Sequence, residues 1–180
     1  HTFALMLALA KRVVPAHRTI AREEESSSTT ESLGTTLAGK TLGILGMGAI
    51  GVQLARRASA FDMRVAGTKR TPAPHLVAQL GLDFLGAPGD LTRVLEESDF
   101  VAVCVPWMPS TDGMIGEAEL RSMKVSAFLV NIARANVVDE DALHRALTEG
   151  WIAGFGTDVW WDYDVMRRSS DQTAARLGFG

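Results

Sequence analysis

Thr41-Leu42-Gly43-Ile44-Leu45-Gly46-Met47-Gly48-Ala49-Ile50-Gly51 is the stretch on which the fold turns. An apolar run of strand length ends at Gly46, three glycines follow in Gly-x-Gly-x-x-Gly spacing, and a helical period opens at Ala49. In that context each glycine has a physical task. Gly46 allows a tight turn, Gly48 lets a pyrophosphate approach the backbone, and Gly51 lets the helix lie close to the strand. Ala49 and Ile50 belong to the first helical turn, whose free amides and positive dipole end favour a phosphate anion. The loop reads as a dinucleotide cradle with Gly46, Gly48, Ala49, Ile50 and Gly51 as its binding residues.

Outward from this loop the alternation continues. Apolar runs at Met63–Ala66, Phe100–Val105, Ala127–Val130 and Ile152–Phe155 predict strands, and helical periods predict helices over Ala49–Ala60, Pro74–Leu80, Asp90–Glu97, Glu117–Met123 and Asp139–Glu149. In the last of these Asp139 stands at the N-cap, Ala142, Leu143, Ala146 and Leu147 share one face, and Gly150 follows where a left-handed residue ends a helix. Continuous apolar strands are buried on both sides. The expected fold is therefore α/β, a Rossmann-type doubly wound parallel sheet with helices on both faces, preceded by an N-terminal helix.

The flanks carry less pattern. Thr2–Ala10 is apolar, but a bilayer span needs about 20 such residues, and no Lys/Arg-rich region precedes it. It reads as a buried helix running to Arg12 and stopped by Val14-Pro15, in a chain that starts inside a longer protein. Residues 15–39, with Arg22-Glu23-Glu24-Glu25-Ser26-Ser27-Ser28-Thr29-Thr30-Glu31-Ser32 at their centre, read as a solvated connector. Residues 163–180 read as an atypical, disordered tail. Residues 1–162 then make one dinucleotide-binding domain. With 47% hydrophobic and 22% charged residues the chain is of ordinary soluble globular type. The single cysteine, Cys104, excludes an internal disulfide and a cysteine-based zinc site, and no metal site is expected. A net charge of −3 argues against a broad nucleic-acid footprint. Neither a membrane nor a nucleic-acid partner is expected, and the location is read as cytoplasmic.

The residues after the second strand bear on which dinucleotide is held. An acidic residue about 20 positions past the glycines ordinarily accepts from the adenosine ribose hydroxyls. Here the strand ends in Gly67-Thr68-Lys69-Arg70-Thr71. A lysine and an arginine beside that ribose complement a 2′-phosphate, and the missing carboxylate removes a repulsion. Lys69 and Arg70 thus favour NADP(H) over NAD(H), which stays the alternative.

Three further motifs follow in order: Ser98-Asp99-Phe100-Val101 leading to Val105-Pro106 and Pro109-Ser110-Thr111; Leu129-Val130-Asn131-Ile132-Ala133-Arg134 followed by Val138-Asp139; and Gly156-Thr157-Asp158-Val159. With the glycine loop they make the chain resemble the D-isomer-specific 2-hydroxyacid dehydrogenases over residues 1 to about 162. The resemblance implies an NAD(P)-dependent oxidoreductase that transfers hydride between the cofactor and a small 2-keto or 2-hydroxy acid. It also implies a homodimer, and a substrate domain absent from this chain. Arg134 matches the family's arginine for the substrate carboxylate and carbonyl, a role its rigid fork of donors suits. Asp158 matches the acid that orients the nicotinamide carboxamide. Val105, Pro106 and Thr111 match positions lining the adenosine and pyrophosphate, and Ala133 joins the cofactor-binding set.

The departures are as informative. Cys104 stands where the family commonly has histidine, Ala135 replaces the usual glycine after the arginine, and Tyr163 occupies the position of a glutamate. Reduction of a keto acid needs a proton donor, which the family draws from a later histidine. The histidines here are His1, His17, His75 and His144, and none follows Asp158. The chain alone is therefore expected to be inactive. The alternative from another class is a dinucleotide-sensing interaction protein, corepressor-like and without turnover. Phe3, Met6, Leu7 and Ala10 of the first helix are expected to be exposed and to drive self-association.

Overall fold

The computed structural model describes residues 1–21, 34–71 and 73–162. Six parallel strands form one sheet in the order β3-β2-β1-β4-β5-β6. They are β1 (Thr41–Leu45), β2 (Arg64–Thr68), β3 (Phe84–Gly86), β4 (Phe100–Val103), β5 (Phe128–Asn131) and β6 (Gly154–Thr157). The helices are α1 (Thr2–Ala10), α2 (Val13–Ala21), α3 (Ala49–Ser59), α4 (Pro74–Leu80), α5 (Leu91–Glu97), α6 (Glu117–Ser122) and α7 (Glu140–Thr148). This is the expected doubly wound α/β sheet.

Side-chain alternation along the strands separates two cores. Leu42, Ile44, Phe100, Ala102 and Val130 face α1, α3 and α4, where they meet Met6, Leu54, Ala55 and Ala58. Leu45, Val101, Val103 and Leu129 face α5, α6 and α7, where they meet Val94, Leu95, Leu120 and Leu143. Central strands buried on both sides need apolar residues at every position, which is why they carry no polar alternation. Asp139 caps α7 by accepting from the Ala142 amide at 2.7 Å, and Gly150 takes φ +71° beyond its end.

The N-terminal segment corrects the sequence reading. The first helix ends at Ala10, and Arg12, with φ +52°, turns the chain into α2. Pro15 does not stop it. It lies in the first turn of α2, where its missing N–H has no intrahelical partner to lose. Residues 15–21 are accordingly helix rather than connector, and after Gly34 the chain passes the end of α1, where the Thr35 amide donates to Ala10 O at 2.7 Å. The face read as exposed is largely covered: Met6 and Ala10 are 0% and 1% exposed, Leu7 and Phe3 are half-buried with Phe3 stacked on Phe61, and beside them Leu5 and Leu9 lie over Gly154 and Gly156 of β6. The centre of the connector and the tail from residue 163, Tyr163 included, lie outside the described residues.

Candidate functional site

Parallel strands bring all their C-terminal ends to one edge, and the chain reverses direction in sheet order between β1 and β4. Every candidate residue falls at that edge, on a loop or, for Ala49, Ile50 and Gly51, on the first turn of α3.

The glycine loop leaves β1 there. Gly46 has φ +102°, and a Cβ on it would lie 2.9 Å from Val105 Cγ1 and 3.0 Å from the Cys104 backbone, so glycine is required by both conformation and space. A Cβ on Gly51 would lie 2.5 Å from Gly46 O, so this glycine sets how close α3 comes to the loop. Gly48 is different. It is the extended N-cap of α3, no side chain caps the helix, and a Cβ there meets nothing within 4 Å. No neighbouring protein atom requires glycine at this position; a ligand approaching the open amides would. The residues present therefore fit a pyrophosphate.

The end of β2 is bonded to the same loop. The Gly46 and Met47 amides donate to Thr68 O at 3.2 and 2.9 Å, and the Lys69 ammonium donates to Met47 O at 2.9 Å. Lys69 is thus placed against the glycine loop, while Arg70 beside it is exposed.

After β4, Val105 packs by Gly46, and the loop that follows is closed by Thr111. Its hydroxyl donates to Pro106 O at 2.7 Å, lies 3.2 Å from Met108 O and accepts from the Met108 amide at 3.0 Å. Thr111 thus shapes the rim through its own loop. Trp107 projects from this loop 55% exposed, its indole N–H donating to Asp112 Oδ1 at 2.7 Å. Cys104 is half-buried, and burial pushes its thiol up to about 12, which keeps it protonated and inert.

Arg134 follows β5 on a turn built by Asn131, a residue the motif contains but to which sequence reasoning assigned no role. Its fully buried amide accepts from the Ala133 N–H at 3.0 Å and donates to Arg134 O at 3.0 Å. An Asx residue two positions before a loop amide is the signal that points to such a turn. Arg134 is exposed, donates to Ala133 O at 2.8 Å, and has no carboxylate partner among the described residues. Ala135 enters a short 3-10 turn with no positive φ, so the alanine is accommodated without strain. The loops after β4 and β5 are joined, Gly113 N–H donating to Asn136 O at 2.8 Å and Ile115 N–H to Val137 O at 3.0 Å.

Asp158 stands immediately after β6. No helix starts behind it among the described residues, so it is not a cap. Its carboxylate is exposed, with His1 Nε2 3.4 Å from Oδ2. Thr157, which sequence reasoning did not single out, bonds across to β5. His144 is on the exposed side of α7. Among the described residues no three ligating side chains form a group that could hold a metal ion.

The family model of the D-isomer specific 2-hydroxyacid dehydrogenase NAD binding domain matches residues 3–173. A glyoxylate reductase from Thermococcus litoralis is 44% identical over 162 residues, which cover 87% of this chain and 48% of that protein. One from Korarchaeum cryptofilum is 45% identical over 159 residues, covering 87% and 47%. Among solved structures, D-lactate dehydrogenase from Aquifex aeolicus, complexed with NAD and lactic acid, superposes with a TM-score of 0.85 at 31% identity, covering 99% of this chain and 54% of that one. The chain spans about half the length of the curated relatives it matches. Motifs, sheet order and these matches agree: the chain belongs to the D-isomer specific 2-hydroxyacid dehydrogenase family and constitutes its NAD-binding domain.

Proposed function

We propose that this chain is the nucleotide-binding half of an oxidoreductase that acts on the CH–OH group of a small 2-hydroxy acid, glyoxylate being the keto acid that its relatives' names suggest. The observation that carries the reading is the shared edge: the glycine loop with the uncapped start of α3, the Lys69 ammonium, Arg134, which has no carboxylate partner among the described residues, and the exposed Asp158 all lie at one end of the sheet. A bound nicotinamide dinucleotide supplies the hydride. Gly46, Gly48, Ala49, Ile50 and Gly51 hold its pyrophosphate, with Val105, Pro106, Thr111 and Ala133 along it. Asp158 accepts from the carboxamide. Arg134 grips the keto acid carboxylate and polarises the carbonyl as charge develops on its oxygen.

Lys69 and Arg70 support NADP(H) as the preferred cofactor. A homodimer and a cytoplasmic location complete the reading, the dimer supported by the uncovered Val13, Val14 and Ile20 of α2. No residue of this chain is assigned as proton donor, so the 180-residue protein binds cofactor without useful turnover.

Calorimetric titration tests this directly. NADPH should bind about five- to thirtyfold more tightly than NADH, the worth of a charge-assisted contact. Equal affinities would remove the 2′-phosphate reading, and absence of binding by either would remove the function. Steady reduction of glyoxylate, hydroxypyruvate or pyruvate, abolished in Arg134→Ala, would show that a residue present here supplies the proton.

A further inference from the structure

Thr157 and Asn131 are register partners, the last pair of the β5–β6 ladder. Beyond them the backbones part, one leading to Arg134 and the other to Asp158. The Thr157 hydroxyl adds one rung past the end of the ladder. It accepts from the Val159 N–H at 3.0 Å, and its single proton faces two carbonyls at equal distance, Asn131 O and Val159 O, both at 2.9 Å. The same Asn131 uses its buried side-chain amide to build the turn that carries Ala133 and Arg134. One hydroxyl is thus joined to the turn under Arg134 and to the residues on both sides of Asp158.

The other end of this segment is also held. Val159 is 8% exposed, and the Trp161 indole N–H donates to Val138 O at 2.9 Å. Asp158 is therefore an exposed carboxylate on a backbone fixed before and after it, with His1 Nε2 3.4 Å from its Oδ2. A threonine needed only to fill a strand position would work as well with a methyl in place of the hydroxyl. This hydroxyl serves three backbone groups, accepting from one N–H and sharing its single proton between two carbonyls.

We infer that Thr157 is a positioning residue: its hydroxyl fixes the junction of β5 and β6 so that Asp158 is presented to the nicotinamide end of the dinucleotide. The inference rests on the reading of Asp158 given above. It assigns Thr157 no contact with ligand. Its effect is on where the neighbouring carboxylate stands, and so on only one end of the cofactor.

That selectivity makes the test. NADH and ADP-ribose share the adenosine and pyrophosphate and differ in the nicotinamide, so the ratio of their affinities for the 180-residue chain isolates the Asp158 end. Thr157→Val should weaken NADH about fivefold, the worth of one ordinary hydrogen bond, and change ADP-ribose by less than about twofold. Thr157→Ser should restore the ratio, and Thr157→Ala repeats the test with neither γ substituent. Asp158→Ala should lower the ratio by about tenfold or more. If Asp158→Ala lowers the ratio and both Thr157→Val and Thr157→Ala leave it unchanged, the positioning role is wrong while the reading of Asp158 stands. If Asp158→Ala leaves the ratio unchanged, that reading fails and this inference with it. Equal weakening of both ligands in the Thr157 variants would mark a general loosening of the domain and overturn the inference too.

Discussion

Gly48 and Gly51 stand three residues apart and are glycine for opposite reasons. A Cβ on Gly48 enters open space on an extended backbone, whereas one on Gly51 meets Gly46 O at 2.5 Å and Ile44 Cγ2 at 3.1 Å. Gly48→Ala should keep its unfolding free energy within about 0.5 kcal/mol of the unmodified chain and lose about tenfold or more in dinucleotide affinity. Gly51→Ala should cost about 1–3 kcal/mol in urea unfolding through overpacking. The reverse pattern would mean that Gly48 serves the fold. The roles of Gly46 and Gly51 were legible in the sequence because they are local; the bond from Lys69 to Met47 O, 22 residues away, was not. Lys69→Asp tests that residue. It replaces a donor with an acceptor for ribose hydroxyls and adds repulsion toward a 2′-phosphate, so titration should find NADH tighter than NADPH. An order that stays unchanged would leave Lys69 as a latch for the loop alone.

At the scale of elements, what reads from sequence is what repeats. The strand–helix alternation and the cap of α7 are periodic or local and were legible. β3 was missed because Phe84–Gly86 is a three-residue edge strand without a period, and α2 because a proline ends a helix only beyond its first turn. The burial of α1 depends on partners at the far end of the chain. Met6 is fully buried among residues of that core, so Met6→Ala should lower stability by about 2–5 kcal/mol, measured by urea unfolding. A change under 1 kcal/mol would place α1 outside the cooperative unit. On the opposite face α6 and α7 are joined through Glu117, which holds Arg121 at 2.9 Å and Arg145 at 2.7 Å, while Arg121 lies over the Trp151 ring at 3.5 Å. The hydrogen bond from Arg121, then the charge of Arg145, hold the Glu117 carboxyl below the usual carboxylate range. A carboxylate whose folded value lies below its unfolded one adds stability above the ordinary range and loses it as pH falls through the lowered value. The stability difference between the unmodified chain and Glu117→Gln should therefore be present at neutral pH and close on acidification in unfolding measured across pH. A gap that stayed constant into acid would assign it to packing.

For the whole molecule, the sheet order places the glycine loop and the Arg134 and Asp158 loops on one edge although 88 residues separate Gly46 from Arg134. Motif order alone carried that part of the site, since parallel topology sends every strand end to the same side. How the loops brace one another depends on Asn131, Thr157 and the 111–115 segment, whose bonds no spacing rule reveals. The clamp on Trp107 has a consequence of another kind. Of the four tryptophans, Trp151 is 9% exposed, Trp160 and Trp161 are partly covered, and Trp107 alone is held open to water, 55% exposed, by its bond to Asp112. An indole that is wet yet fixed emits to the red of its buried counterparts and meets dissolved quenchers first. Iodide should extinguish the red side of the emission band before the blue, and Trp107→Phe should remove most of that quenchable light. If the variant quenches like the unmodified chain, the indole is covered in solution. A loop packed against Gly46 thus carries its own lamp, so dinucleotide arrival at the proposed site can be followed by emission without any attached dye.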